Sequence, residues 1–272
     1  MEPRSASHGE RVLLLTEKGN RYLVTLKRGE RFHSEDGVIS HDDVAGKPYG
    51  SVVTSSTGTK VALLYPQVYD LLASLPRRTQ IVYPKDLGLI AFLLDAKPGS
   101  LIVEGGTGSG VLALYLATRV HPGGKVISYD LNDEFFPAVR KAAERLGVQE
   151  AVELRRGDLR DADVEGADGF VADVPEPWEV VPAARRCLRG GGVFVSIVPS
   201  VNQLERSVLA MRRNGIIDLF VGELMIRPWR VREGATRPVH VTRGHTVFVI
   251  SGRKVEEADV SSWNLKLPFG FR

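Results

Sequence analysis

Cysteine is almost absent from the 272-residue sequence, which contains Cys187 alone. A single cysteine excludes an intramolecular disulfide and a cysteine-based metal cluster. The group His33, His41, Asp42 and Asp43 matches no metal-ligand spacing, so we expect a turn there and no metal site. Asparagine and glutamine are also scarce, with five and four residues, a depletion that is typical of proteins from thermophiles.

Long hydrophobic runs are missing as well. No stretch approaches the roughly 18 apolar residues of a membrane-spanning helix, and the N-terminus, MEPRSASHGE, lacks the apolar core of a signal peptide. The sequence therefore predicts a cytoplasmic protein without membrane contact. The 36 Lys and Arg residues against 33 Asp and Glu give a net charge of +3, which is compatible with a nucleic-acid partner but does not identify one.

Glycine, in contrast, is concentrated in the stretch LIVEGGTGSG, residues 101–110. Three apolar residues run into Glu104 and a glycine-dense turn, and the helix-periodic run VLALYLATRV follows at once. This order predicts a buried strand, a tight turn and a helix. Such a turn brings free N–H groups at a helix N-terminus close to a ligand.

Asp130 ends the next apolar run, KVISYD, twenty residues after Gly110. An acid at this distance commonly holds the ribose hydroxyls of a nucleotide-like ligand. The dinucleotide pattern would require glycine where Val111 stands, and Glu104 would repel a pyrophosphate. These residues favour a cationic, phosphate-free ligand, and S-adenosylmethionine fits; the alternative is a turn whose glycines serve packing only.

We predict three segments along the chain. Residues 1–70 form a small all-β domain, since short apolar stretches are separated by turn signals such as EKGN and KRGE. Residues 71–97 form a helical connector, with Tyr83 and Asp86 on a loop near the ligand side. Residues 98–272 alternate strand and helix, which predicts a Rossmann-like domain with a mostly parallel seven-stranded sheet whose last strand, within residues 245–254, is antiparallel.

Two further acids follow predicted strands. Asp158 comes after the third strand, where it could accept a hydrogen bond from an adenine amino group, or be a simple turn residue. Asp173 begins the segment DVPEPW, in which two prolines make a rigid extended loop. We predict that the Asp173 carboxylate accepts from the exocyclic amine of a base while Trp178 stacks nearby; the alternative is a surface turn.

A basic segment with an aromatic residue lies near the C-terminus. Its members are Arg227, Trp229, Arg230, Arg232, Arg237, His240, Arg243 and His245. Such a segment can contact phosphates and stack on a base. A solvated loop or an interface between subunits is the alternative.

Taken together, the motifs resemble the tRNA adenine-N1 methyltransferases of the archaeal and bacterial type, which act on the T-loop adenine at position 58. The resemblance runs through nearly the whole chain. Its motifs are LLLTEKGNRYLV and FHSEDGVISHDDVAGKPYGS in the β domain, then YPKD, EGGTGSG, SYD, GD, DVPEPWEV and GHTVFVISGRK in family order. Departures are Asp130 where Glu is usual, the Gly105-Gly106 pair, and a loose match between Arg227 and Gly244.

The resemblance implies a role for each matching residue. S-adenosylmethionine would be surrounded by Glu104, Gly106, Thr107, Gly108, Ser109, Asp130, Asp158, Leu159 and Asp173. Asp173 would also position the target base, which makes it the candidate catalytic residue. Tyr83 would lie beside the base or the cofactor, the alternative being a hydrophobic plug between domains. From the residue types themselves, Trp178, Arg227, Arg230 and His245 are the further candidates for contact with the tRNA T-arm. The family is typically homotetrameric, which implies the same assembly here.

The sequence thus predicts S-adenosylmethionine-dependent methylation of N1 of adenine 58 in tRNA, alone or together with adenine 57. One alternative is methylation of another RNA, a protein or a small molecule by the same cofactor domain. A second is a non-catalytic tRNA-binding subunit, against which the intact glycine turn and acids argue. A nicotinamide dehydrogenase is disfavoured by Val111 and Glu104.

Overall fold

The computed structural model describes residues 4–75, 81–241 and 244–263, apart from the side chains at positions 218 and 219. Arg243 of the predicted basic segment lies outside the described residues. The chain divides into two compact units, Met1–Leu75 and Pro76–Arg272. Within the described part, no helix combines the length and the apolar character needed to cross a membrane.

The first unit is built mainly from short antiparallel strands. Its elements are β1 (Arg11–Thr16), β2 (Arg21–Thr25), β3 (Arg31–Ser34), β4 (Gly37–Ser40), α1 (His41–Val44), β5 (Val52–Thr54), β6 (Lys60–Leu64) and α2 (Val68–Ala73). Four strands form a sheet in the order β2-β1-β6-β5, and β3 pairs with β4. Val12, Leu14 and Leu63 form its core, which confirms the predicted small β domain.

Two local predictions for this unit were incomplete. Strand β3 has no apolar pattern that would predict it, because Phe32 is its one apolar residue. The segment is a strand because it pairs with β4. The HDD sequence forms the one-turn helix α1 instead of a simple turn. His41 is buried there and its Nδ1 accepts a hydrogen bond from the backbone N–H of Lys27 at 3.0 Å.

In the second unit, the described residues form nine strands and five α-helices. The strands are β7 (Leu101–Gly105), β8 (Lys125–Asp130), β9 (Val152–Arg156), β10 (Ala167–Ala172), β11 (Leu188–Val198), β12 (Ile216–Gly222), β13 (Trp229–Arg230), β14 (Arg237–Pro238) and β15 (Phe248–Lys254). The helices are α3 (Pro84–Leu93), α4 (Val111–Val120), α5 (Phe136–Leu146), α6 (Val181–Cys187) and α7 (Val201–Arg213). Strands β13 and β14 pair only with each other, as a small hairpin.

The other seven strands form one sheet in the order β12-β15-β11-β10-β7-β8-β9. Strand β15 is antiparallel to both of its neighbours, β11 and β12, and the pairs from β11 through β10, β7 and β8 to β9 are parallel. The predicted mostly parallel seven-stranded sheet with an antiparallel last strand is therefore confirmed. The inner strands are apolar on both faces because helices cover both sides. Phe170 on β10 and Phe194 on β11, for example, are both fully buried, with ring centroids 6.0 Å apart.

Three details of this unit differ from the sequence-based expectation. Helix α3 begins at Pro84, a residue well suited to a first helical position, so Asp86 lies in its first turn and not on a loop. A run of three glycines usually marks a loop, yet strand β11 begins at Leu188 and includes the glycines at 190–192. Asn and Asp are preferred N-cap residues, yet the Asn132-Asp133-Glu134 segment does not cap α5, whose N-cap residue is Phe135 without a side-chain cap bond.

Strand connectivity defines where a ligand can bind. The chain runs from β7 outward to β8 and β9, and β10 then returns to the other side of β7. In doubly wound sheets, ligands bind at the carboxyl ends of the strands where the order reverses. Gly105 at the end of β7 is in register with Ala172 at the end of β10, so the glycine loop and Asp173 emerge side by side at this switch point.

Candidate active site

The glycine loop between β7 and α4 is in direct contact with the residue that follows β10. Gly106 has a φ of +90°, which disfavours any residue with a side chain. A Cβ at this position would lie 2.0 Å from the carbonyl oxygen of Asp173. The backbone N–H of Asp173 donates to the carbonyl oxygen of Gly105 at 3.0 Å. The two loops are therefore held together by backbone contacts that only glycine permits.

Asp130, at the end of β8, orders the glycine loop from the other side. Its Oδ2 accepts from the backbone N–H of Gly108 at 2.9 Å, and the N–H groups of Gly106 and Thr107 donate to the carbonyl of Tyr129 at 2.9 and 3.3 Å. These three amides are thus bonded within the protein, contrary to the expectation that the turn offers them to a ligand. The remaining lone pairs of the Asp130 carboxylate are available to hydroxyl groups.

Glu104 is fully buried beneath this loop. Its Oε2 accepts from the Ser128 hydroxyl, which is also hydrogen-bonded to the Thr107 hydroxyl. Its Oε1 has no hydrogen-bond partner within the described residues. Burial raises the pKa of Glu104 to about 8; the Ser128 hydrogen bond opposes this, and the nearby charges of Asp173 and Asp130 add to it. The carboxyl group is therefore mostly protonated at neutral pH.

Asp173 carries the second perturbed carboxyl group of the site. Burial raises its pKa to about 6, still below neutral pH, so the group is a carboxylate under physiological conditions. A carboxylate that is partly withdrawn from solvent at a strand end is a good hydrogen-bond acceptor, because water competes less for its lone pairs. Asp173 can therefore fix a donor group of a bound ligand.

A cleft of about 350 Å³ opens over the strand ends, within the size range of small-molecule sites. Its charged lining residues are Asp130, Asp158, Arg160, Asp173, Glu176 and Glu179. Five carboxyl groups against one guanidinium group favour a cationic ligand over a phosphate-bearing one. Apolar walls come from Leu131, Leu159, Val174, Pro175 and Val180.

The Asp158 carboxylate is already engaged inside this cleft. It accepts from the backbone N–H of Arg160 at 2.9 Å, and the Arg160 guanidinium contacts both of its oxygens, at 3.0 and 3.1 Å from Nε. These bonds hold the pKa of Asp158 below its usual value. Leu159 is buried, and its side chain occupies the space that a Cβ on Gly105 would need.

A second, smaller pocket of about 20 Å³ lies on the other side of the glycine loop. Thr107, Gly108 and Ser109 line it together with Ile81 and Val82. Gly106 and Asp173 line both this pocket and the larger cleft, so the two pockets meet at these residues. Tyr83 directly follows Val82 and is the N-cap residue of α3, which places it beside the smaller pocket.

Trp178 does not line the cleft. Pro177 starts a short 3-10 helix, Pro177–Val180, and the guanidinium of Arg206 on α7 lies 5.3 Å from the centroid of the indole ring. Glu179 and Val180 of the same segment face the cleft instead.

Four of the predicted basic residues are exposed on the segment between β12 and β15, and His240 is exposed as well. We call residues 227–237 the arginine hairpin; it contains Arg227, Arg230, Arg232 and Arg237, and Arg227 lies over the Trp229 ring at 5.8 Å. His245 lies apart from these arginines, at the C-terminal edge of the sheet. Its Nδ1 is 2.7 Å from Glu223 Oε2 and its Nε2 is 3.1 Å from the carbonyl oxygen of Pro199. These two acceptors raise its pKa and favour the doubly protonated ring.

Comparison with known proteins identifies the chain's relatives. A family model described as the tRNA methyltransferase complex GCD14 subunit matches residues 61–247, and a model of the TrmI-like N-terminal region matches residues 7–53. The tRNA (adenine(57)-N(1)/adenine(58)-N(1))-methyltransferase TrmI of Methanocaldococcus jannaschii is 30% identical over 268 residues, covering 89% of this chain and 94% of that protein. The chain belongs to the TrmI-type tRNA adenine-N1 methyltransferase family.

Two solved structures of this kind align with nearly the whole chain. The tRNA (m1A58) methyltransferase TrmI of Aquifex aeolicus has a TM-score of 0.80 at 26% identity, covering 93% of this chain and 100% of that one. A Thermotoga maritima protein described as a SAM-dependent O-methyltransferase has a TM-score of 0.87 at 32% identity, covering 93% and 96%. The fold of this TrmI-type chain is therefore that of the S-adenosylmethionine-dependent methyltransferases.

Several residues that line the cleft of this TrmI-type chain were not predicted as site residues, among them Glu176, Glu179, Leu131 and Arg160. Leu131, directly after Asp130, is an exposed apolar residue that lines the cleft. Its position next to an acid at a strand end could have indicated a contact with the ligand. Arg160 was missed because its contact with Asp158 depends on the turn after β9. In residues 4–75, 81–241 and 244–263, no group of three His, Cys, Asp or Glu side chains is arranged to hold a metal ion.

Proposed function

We propose that this protein transfers the methyl group of S-adenosylmethionine to N1 of adenine 58 in the T-loop of tRNA, alone or together with adenine 57. The names of the relatives supply the substrate class. The structural observation that carries the proposal is the position of Asp173, which lines both the acidic cleft and the adjoining pocket.

The residues of the cleft fit S-adenosylmethionine. Asp130 would accept hydrogen bonds from the ribose hydroxyls. Asp158 would accept a hydrogen bond from the adenine amino group in addition to those from Arg160. Leu131 and Leu159 offer apolar contacts to the adenine ring. Glu104, buried without a cationic partner in the described chain, and the acidic lining suit a ligand that carries both a sulfonium and an ammonium group. When bound, the cofactor supplies an electrophilic methyl group.

The reaction requires positioning more than proton removal. Adenine N1 is a neutral nucleophile with a lone pair, so a new N1–carbon bond forms as the sulfur–carbon bond breaks, and the positive charge moves from sulfur to the adenine ring. The base must leave the tRNA core to reach the site. Asp173 would accept from the N6 amine, which orients N1 toward the methyl group and stabilises the developing charge.

The tRNA would be bound on the same edge of the sheet. Arg227 and Arg230 of the arginine hairpin would contact phosphates, and His245 and Tyr83 would lie nearer the target base. For Trp178 we propose a supporting role, since Arg206 already lies over its ring. Apolar side chains such as Met225 and Val241 are exposed in the same segment, and they support the further proposal that the protein forms a homotetramer. Light scattering of the purified protein would test this assembly. We also propose that the protein works in the cytoplasm.

The decisive experiment is methylation of an unmodified tRNA transcript with labelled S-adenosylmethionine, followed by nuclease digestion and mass spectrometry of the nucleosides. We expect 1-methyladenosine, which disappears when adenine 58 is replaced. A transcript changed at adenine 57 reports separately on that position. Tight cofactor binding without 1-methyladenosine would refute the proposal.

The same digest tests a second function. The Thermotoga neighbour is described as an O-methyltransferase, so methylation of a ribose hydroxyl is the rival activity. 2′-O-Methyladenosine has the same mass as 1-methyladenosine, but it differs in retention time and gives an unmethylated base fragment. Its appearance would establish that rival.

A further inference from the structure

A buried, charged network fixes the start of α3 and has no part in the chemistry described above. Asp86 is fully buried. Its Oδ1 accepts from Lys85 Nζ at 2.7 Å, and its Oδ2 accepts from the Thr246 hydroxyl at 2.9 Å. Lys85 Nζ also donates to the Thr246 hydroxyl at 2.6 Å. We call Lys85, Asp86 and Thr246 the α3 clamp; it joins residues 160 positions apart in the sequence.

The clamp lies at the edge of the sheet that carries the site. Thr246 stands two residues before β15, whose first residue, Phe248, is in register with Val198 at the carboxyl end of β11. On the α3 side, the backbone N–H of Asp86 donates to the carbonyl of Tyr83 at 2.8 Å. Displacement of Asp86 would therefore displace Tyr83 and, through it, Val82 in the wall of the smaller pocket.

The clamp also borders the root of the arginine hairpin. His245, next to Thr246, is bonded to Glu223 just after β12 and to Pro199 just after β11. The charges of this region come in balanced pairs, Lys85 with Asp86 and His245 with Glu223. A neutral network of this kind offers little attraction to a phosphate, but its hydrogen bonds restrict the geometry of the elements it joins.

We infer that the α3 clamp is a substrate-positioning element, with Thr246 as its central positioning residue. It holds Tyr83 and the wall of the smaller pocket in register with the segment that follows the arginine hairpin. RNA held by the hairpin then presents its extruded base to Asp173 in one orientation. This inference rests on the proposed function, and it assigns to the clamp an effect on turnover and not on cofactor affinity.

The test replaces Thr246, because removal of Asp86 would leave a buried lysine without its partner and the protein could fail to fold. Thr246→Val keeps the side-chain shape and removes both hydrogen bonds, whereas Thr246→Ser keeps them. Thr118→Val is the matched control: its hydroxyl donates to the carbonyl of Tyr115 at 2.7 Å, within α4. The probes are S-adenosylmethionine and the unmodified tRNA transcript.

We expect Thr246→Val to lower kcat for the transcript by about tenfold or more, since small misplacements of reacting groups have effects of this size. The KM for tRNA and the Kd for S-adenosylmethionine should stay within about twofold of the wild-type values, as uniform binding is not affected. Thr246→Ser and Thr118→Val should behave like the wild type. A raised KM with unchanged kcat, or equal effects of Thr246→Val and Thr118→Val, would overturn the inference.

Hydrogen exchange separates failure of this inference from failure of the proposed function. Thr246→Val should accelerate amide exchange in a peptide covering residues 81–90, relative to Thr118→Val, whatever substrate the enzyme uses. Unchanged exchange there would overturn the clamp. A wild-type protein that binds the cofactor but leaves the transcript unmethylated would instead refute the proposed function, with the exchange result still deciding the clamp.

Discussion

Cofactor binding should release a proton from Glu104. In the cofactor-free protein this carboxyl group has a pKa of about 8, so about nine-tenths of it is protonated at pH 7. A sulfonium and an ammonium group bound beside the glycine loop stabilise the carboxylate and lower this pKa. Binding then favours the ionised form, and affinity is weak at low pH, rises with pH and levels off above pH 8.

The magnitude follows from proton linkage. Where the free protein is protonated and the complex is ionised, the association constant rises by up to about tenfold per pH unit. At pH 7 the complex should release up to about 0.9 proton per site. Calorimetric titration in buffers with different ionisation enthalpies measures this release. A series from pH 7 to 8.5 measures the slope where Asp173, with a pKa of about 6, is already about nine-tenths ionised.

Glu104→Gln provides the comparison, because glutamine matches the shape of the protonated carboxyl group and cannot ionise. The variant should bind with the weaker affinity of the low-pH wild type. The α-amino group of the cofactor itself titrates near pH 8, but it does so equally with both proteins, so their difference isolates Glu104. Equal proton release by the two proteins would refute the reasoning.

Three further results are expected. The pKa of Glu104 is raised on folding, so the contribution of this group to stability falls as pH rises above the unfolded-state pKa. Glu104→Gln should therefore raise the free energy of unfolding of the cofactor-free protein by about 3 kcal/mol at pH 7, as measured by urea denaturation. An unchanged free energy of unfolding would contradict the burial of a carboxyl group without a cationic partner. Asp173→Ala should lower kcat by about 10²–10³-fold with little change in the cofactor Kd. In the wild type, kcat should rise through pH 6 as the Asp173 carboxylate forms. A flat wild-type pH profile would count against the role of Asp173. Gly106→Ala should weaken both cofactor binding and turnover, because its Cβ would meet the Asp173 carbonyl, whereas Gly88→Ala, on a helix with open space around it, should be harmless by both assays.

The elements that lead to the cofactor cleft could be predicted from the sequence because their signals are local. The helix after the glycines and the strand ending in Asp130 appear at their predicted bounds, Val111–Val120 and Lys125–Asp130. Each has an apolar pattern of one period and a clear terminating residue. The acids at 130, 158 and 173 then meet at one edge because parallel strands bring their carboxyl ends together.

The remainder depends on contacts between distant residues, which no local pattern encodes. The glycines at 190–192 look like a loop, yet they continue β11 because β10 pairs beside them, with Gly169 in register with Val193. The sequence around Pro84 predicted a loop at Asp86, whereas its carboxylate is buried and bonded to Lys85 and to the distant Thr246. The protonation of Glu104 follows from the depth of β7 in the sheet, a property of the assembled fold.

The antiparallel strand β15 has a consequence for how this enzyme could diversify. Since β12 ends and β15 begins at the edge of the sheet that carries the site, the 25 residues between Gly222 and Phe248 form an insertion whose two ends are anchored by the sheet. Such an insertion can change in length or composition without altering the strands that hold the cofactor. Exchange of the arginine hairpin alone, residues 227–237, with Thr246 and its partners kept, is therefore a direct route to redirecting the methyl group to a different nucleic acid.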